Sequence, residues 1–153
     1  MVSTHISEKE AFGSSTASKL GIDNTPNAQQ LANIKLLAEK VFEPLREWVG
    51  SPIQINSIFR SKALNAAIPG SSNTSQHCAD NGAAMDIDDN FGGATNAEMF
   101  NWIKDNLDFD QMIWEYGDDL NPDWVHVSYK ATGNRMQMLR VKRINGESVY
   151  TVI

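Results

Sequence analysis

The chain contains only three histidines, His5, His77 and His126. Two of them stand in strongly marked contexts, SQHCADNGAAMDID (75–88) and PDWVHVSY (122–129). A hydrolytic zinc site needs three protein ligands drawn from His, Asp and Glu, with a fourth position left for water. The metal polarises the scissile carbonyl and lowers the pKa of water. A nearby carboxylate must take and return a proton. Strand alternation in WVHVSY puts Trp124, His126 and Ser128 on one face. In AAMDID it puts Ala84, Asp86 and Asp88 on one face and Met85 and Ile87 on the other. An acid and a histidine therefore project from strands flanked by apolar residues, and His77 arrives from a polar loop beside Asn73, Ser75 and Gln76. Taken singly, each has a plainer use: a strand histidine as a structural hydrogen bonder, an Asp at a strand end as a turn former or cap. His5 falls in an N-terminal segment that reads as mobile, and no role is assigned to it.

The elements that position these residues can be read from pattern. Ser7 and Glu10 have capping-box spacing, which predicts a short first helix. The segment 13–26 is rich in Gly, Ser and Thr and reads as a loop. Thr25-Pro26 predicts the start of a long helix, with Thr as N-cap and Pro in the first turn. Leu31, Ile34, Leu37, Ala38, Val41, Leu45 and Trp48 give that helix one buried face. Pro44 should kink it and Gly50 should end it. PIQINSIF (52–59) alternates as a strand, a helical turn follows Ser61, and MDID enters a second strand. Thr95 and Glu98 form another capping box before a helix over 96–107. Strands are expected at 110–116, 123–130, 136–143 and 148–152. Helices first and mostly antiparallel strands afterwards predict a single α+β domain over 1–153.

Two stretches resemble a known family. INSIFRSKALNAAIPGSSNTSQHCADNGAAMDID resembles the first signature of the zinc D-alanyl-D-alanine carboxypeptidases and L-alanyl-D-glutamate endopeptidases, bacterial and phage peptidoglycan peptidases of hedgehog-like fold. That signature is a strand ending in Tyr/Phe-Arg-Ser, a loop, Ser-x-His, a Gly, and Asp-Ile. PDWVHVSY resembles the second, Trp-Val-His-x-Ser, and the similarity extends over roughly residues 7–130. The resemblance implies a small antiparallel sheet with packed helices and a Zn2+ ion held by His77, Asp86 and His126. The interval from His77 to Asp86 is longer than the family's usual one, which leaves Asp80 and Asp88 as alternative ligands. Asp86 is preferred because AAMDI reproduces the family's context. Cys78 reads as a small packed thiol.

By the same resemblance Arg60 grips a substrate carboxylate or carbonyl, for which a guanidinium suits. Ser75 either bonds substrate or orders its loop. Asp123, three residues before His126, is the favoured proton shuttle, and Glu115 is its rival. The proline before Asp123 is expected to break the strand there and let Asp123 swing inward. Trp114 and Trp124 read first as core residues and second as a groove lining.

A formal net charge of -6 argues against nucleic acid as a partner. No stretch is long and apolar enough to span a membrane, and a single cysteine permits no internal disulfide. The N-terminus lacks a basic start followed by an apolar run, so no signal peptide is expected. The expectation is a monomeric zinc peptidase that acts on peptidoglycan peptides and reaches the wall by phage-type lysis or another export route. The alternatives are an inactive wall-binding or structural domain of the same fold and a cytoplasmic zinc dipeptidase.

Overall fold

A computed structural model describes all residues, 1–153. Its centre is a six-stranded sheet of β1 (Gln54–Ser57), β2 (Ala83–Asp88), β3 (Gln111–Glu115), β4 (Trp124–Tyr129), β5 (Gln137–Ile144) and β6 (Glu147–Val152). The order across the sheet is β1-β2-β4-β3-β5-β6. Every neighbouring pair is antiparallel except β3 and β5. Helices α1 (Glu8–Phe12), α2 (Ser15–Leu20), α3 (Ala28–Leu37), α4 (Glu43–Val49), α5 (Lys62–Ala67) and α6 (Asn96–Asn106) complete the mixed α+β architecture.

Alternation gives the sheet two unlike faces. Met85, Ile87, Val125, Val127 and Met112 join Ile34, Leu37, Val41, Phe42, Leu45, Met99 and Ile103 in one hydrophobic core. The opposite face carries Ala84, Asp86, Trp124, His126, Ser128, Ile113 and Glu115. The apolar stripe read along α3 and its continuation is the layer that covers the first face. Only its last member is exposed, Trp48, which stacks on Trp102 of α6 with ring centroids 5.3 Å apart.

Three local expectations need correction, and the interruption expected at Pro44 takes a definite form. The segment 13–26 contains α2, because Ser14 caps it by accepting from the Ala17 N–H at 3.2 Å and Gly21, at φ 66°, ends it. The long helix starts later than Thr25-Pro26: Asn27 is its N-cap and exchanges capping-box bonds with Gln30. Around Pro44 the helix widens, with a π-helical turn over Ala38–Phe42 before α4 begins. A proline cannot supply the N–H that continues a regular ladder. Finally, the N-terminus is pinned. Val2 and Ile6 are buried, and the His5 ring lies 2.7 Å from Glu43 Oε2.

Candidate metal centre

β2 and β4 pair so that Asp86 stands directly opposite His126. Asp86 Oδ1 lies 3.1 Å from His126 Nδ1, and Asp86 Oδ2 lies 3.3 Å from His77 Nε2. The two imidazole rings are 5.1 Å apart. One ligand-type atom from each of His77, Asp86 and His126 falls within 4.8 Å of the other two. Both histidines are buried, and the Asp86 side chain retains 15% of its exposure.

His77 belongs to a short 3-10 turn, Gln76–Cys78, and not to the sheet. Its Nδ1 lies 2.7 Å from the Ile58 carbonyl oxygen, an acceptor only, so Nδ1 donates there and Nε2 is the nitrogen turned toward Asp86. The Ser75 hydroxyl accepts from the His77 N–H at 3.2 Å, so Ser75 orders this turn. The long interval to Asp86 is absorbed before β2, where Ala79 and Gly82 adopt positive φ. A side chain at Gly82 would collide with the Tyr129 carbonyl, so the turn requires glycine there.

Burial works to raise the Asp86 carboxyl. The charges and hydrogen bonds of His77 and His126 outweigh it and hold the group well below the usual carboxylate range. Two imidazole nitrogens and an ionised carboxylate, with one ring fixed by a backbone carbonyl, form a donor set suited to a divalent metal that needs an open position. The alternative ligands lie elsewhere. Asp80 interacts with Lys62 and Gln30, and Asp88 accepts from Asn96 at 2.8 Å. Cys78 is buried, and desolvation, ahead of the nearby Asp80 charge, raises its thiol pKa.

Arg60 reaches the same place. Its Nη2 lies 3.7 Å from Asp86 Oδ2, and its side chain is largely buried. Its backbone N–H donates to the His77 carbonyl at 2.9 Å, which joins the segment after β1 to the turn that carries His77.

The two candidate shuttles are placed differently. Glu115 pairs with Trp124 and shares a face with Ile113, which pairs with His126. It is therefore a diagonal neighbour of His126, about 7–8 Å away between backbones and within reach of a long side chain. Glu115 is 7% exposed, and burial pushes its carboxyl up to about 7, with His126 opposing the shift and Asp86 adding to it. Asp123 keeps its ladder bond, its N–H donating to the Glu115 carbonyl at 2.8 Å. The buried Asn96 amide donates to the Pro122 and Asp123 carbonyls, which fixes this end of β4. The expected inward swing does not occur. Asp123 is exposed and lines an open groove of about 770 Å³ with Tyr116, Trp124, Arg140 and Arg143.

Of the tryptophans, Trp114 packs edge-on against Phe100 at 5.4 Å, as a core residue should. Trp124 lies on the metal-site face, 5.4 Å from Tyr116, and borders the groove.

No helix is long and apolar enough to cross a membrane. A search of curated proteins finds no match to the chain. A family profile described as peptidase M15 matches residues 4–128, a span that contains Arg60, Glu115 and all three converging side chains. On that match over most of its length, the chain belongs to the peptidase M15 family.

Proposed function

We propose that this protein is a zinc peptidase that hydrolyses an amide bond in the peptide part of peptidoglycan. The observation that carries the reading is the convergence of His77, Asp86 and His126, with Glu115 on the same sheet face. The peptidoglycan substrate is supported by the two signature-like segments around these residues, which resemble those of cell-wall peptidases.

In this reading His77, Asp86 and His126 would hold the ion. When bound, zinc supplies Lewis acidity that polarises the scissile carbonyl and eases deprotonation of water. Glu115 is the proton shuttle in preference to Asp123. Its carboxylate takes a proton as the water oxygen bonds to the carbonyl carbon, and delivers it to the amide nitrogen as the C–N bond breaks. A carboxyl near neutrality suits both halves of that task. Arg60 orients the substrate by donating to its carbonyl or to a neighbouring carboxylate. No side chain forms a covalent bond to the substrate.

The test is mass spectrometry of purified muropeptides, intact sacculi and free dipeptides before and after incubation with the zinc-loaded protein. New fragments that differ from the parent muropeptide by hydrolysis of one stem-peptide bond are expected, and chelation should stop their formation. Cleavage of free dipeptides alone would point to a dipeptidase. Retained zinc with no cleavage of any substrate would point to a non-catalytic domain.

A further inference from the structure

Two of the three proposed ligands are fixed by strands. His77 is not, and besides the bonds from Ser75, Ile58 and Arg60 its turn is tied, through Gln76, to a buried carboxylate. Asp110 lies immediately before β3 with no exposed surface. Its backbone is locked into the sheet, its N–H donating to the Ser128 carbonyl at 2.8 Å and its carbonyl accepting from the Gln137 N–H at 3.0 Å. Arg135 grips the carboxylate in a fork, with Nε 3.0 Å from Oδ1 and Nη2 2.9 Å from Oδ2. The Arg135 N–H also donates to Oδ1 at 3.1 Å, and Lys130 Nζ lies 3.8 Å away. The remaining partner is Gln76, whose Nε2 donates to Oδ2 at 2.9 Å and to the Asn81 carbonyl at 3.0 Å.

Gln76 is the first residue of the turn that presents His77. Its amide ties the two ends of the ligand loop together and ties both to the sheet. Burial alone would raise the Asp110 carboxyl, but the bonds from Arg135 and Gln76 prevail and hold it low, at about 2. The anchor therefore stays charged under any ordinary working condition.

The geometry points to Asp110 and Gln76 as positioning residues of the metal centre: the sheet-fixed carboxylate holds Gln76, and Gln76 holds the turn that aims His77 at Asp86 and His126. This rests on the metal-peptidase reading above. A ligand that must be ordered at the moment of binding weakens the complex by the cost of that ordering. Outer partners of metal ligands change affinity by about 10–100-fold when lost.

The experiment compares zinc affinity, by competition with a chromophoric chelator, for the wild-type protein, Gln76→Met and Asp110→Asn. Methionine keeps the length of Gln76 and removes its amide. Zinc binding by Gln76→Met should weaken about 10–100-fold, while its metal-free form still folds and melts no more than about 10 °C below wild type. Because the two residues act in one chain, the double variant should be little weaker than the worse single one. Unchanged zinc affinity in Gln76→Met overturns the inference, as does a lowered melting temperature with affinity intact. If Asp110→Asn fails to fold, Gln76→Met alone decides. A wild-type protein that binds no zinc overturns the metal reading itself, and this inference with it.

Discussion

Asp86 on β2 and His126 on β4 face each other as a directly paired couple of the antiparallel ladder, with carboxylate Oδ1 3.1 Å from imidazole Nδ1. The pairing is a consequence of register. The apolar neighbours Met85, Ile87, Val125 and Val127 must all face the helices, and a slip of one residue would bury the acid and the histidine in the core instead. The same hydrophobic force that folds the sheet therefore places two prospective ligands side by side on its open face.

Glu115 is buried at the end of β3 and Asp123 is exposed just before β4, and kinetics can tell them apart. With zinc bound in both variants, Glu115→Gln should lose about a hundredfold or more in kcat, whereas Asp123→Asn should stay within a few-fold of wild type. The base acts when ionised, so activity should rise as pH rises through its pKa. The acid limb should be centred at about 7 or below, because a bound cation opposes the upward push of burial. Glu115→Gln should lack that limb. A wild-type limb in Glu115→Gln together with an inactive Asp123→Asn would exchange the two roles.

Glu115 also makes a prediction about stability that needs no substrate. Its pKa in the folded metal-free protein is raised from 4.5 to about 7. The neutral form is favoured by folding, so its contribution is fully present below pH 4.5 and is lost as pH rises through 7. At about 1.4 kcal/mol per unit the loss is at most about 3.5 kcal/mol. Metal-free Glu115→Gln should therefore gain on wild type in melting temperature between pH 5 and pH 8, by several degrees. A difference between the two proteins that stays constant over this range would show that Glu115 is not desolvated.

How much of this was legible beforehand varied with the distance over which each feature is decided. Local patterns served well: the Ser7–Glu10 and Thr95–Glu98 boxes, the buried stripe Ile34–Leu37–Val41–Leu45, and the faces of AAMDID and WVHVSY all depend on residues a few positions apart. The helix α2 leaves little trace in the sequence, because its cue is a single Ser cap and one buried Ala17 in a stretch whose composition reads as loop. The Asn27–Gln30 capping box stands two residues from Thr25-Pro26, a second start signal of the same kind, and pattern alone does not choose between them. The placement of Glu115 beside His126 depends on the register of β3 against β4, which no local pattern encodes. The Asp110 anchor joins residues 76, 110 and 135, and only the folded chain brings them together.

Arg60→Ala should impair turnover far more than folding. Its guanidinium lies 3.7 Å from the Asp86 carboxylate, and in the proposed mechanism it holds a substrate oxygen. Loss of one such charge-assisted contact raises the barrier by about 2–4 kcal/mol, or roughly 30- to 1,000-fold in kcat/KM. The assay pairs kcat/KM on a muropeptide with the melting temperature. A variant that melts much earlier yet keeps near-normal specific activity would make Arg60 a structural residue.

The central claim is that His77, Asp86 and His126 form one metal centre, and metal analysis of purified protein tests it most directly. Wild-type protein exposed to zinc and then dialysed should retain one zinc per chain. His126→Ala, folded by circular dichroism, should retain essentially none, because two remaining donors do not hold the ion through dialysis. A full zinc complement in His126→Ala, or no retained zinc in the wild-type protein, would contradict the account.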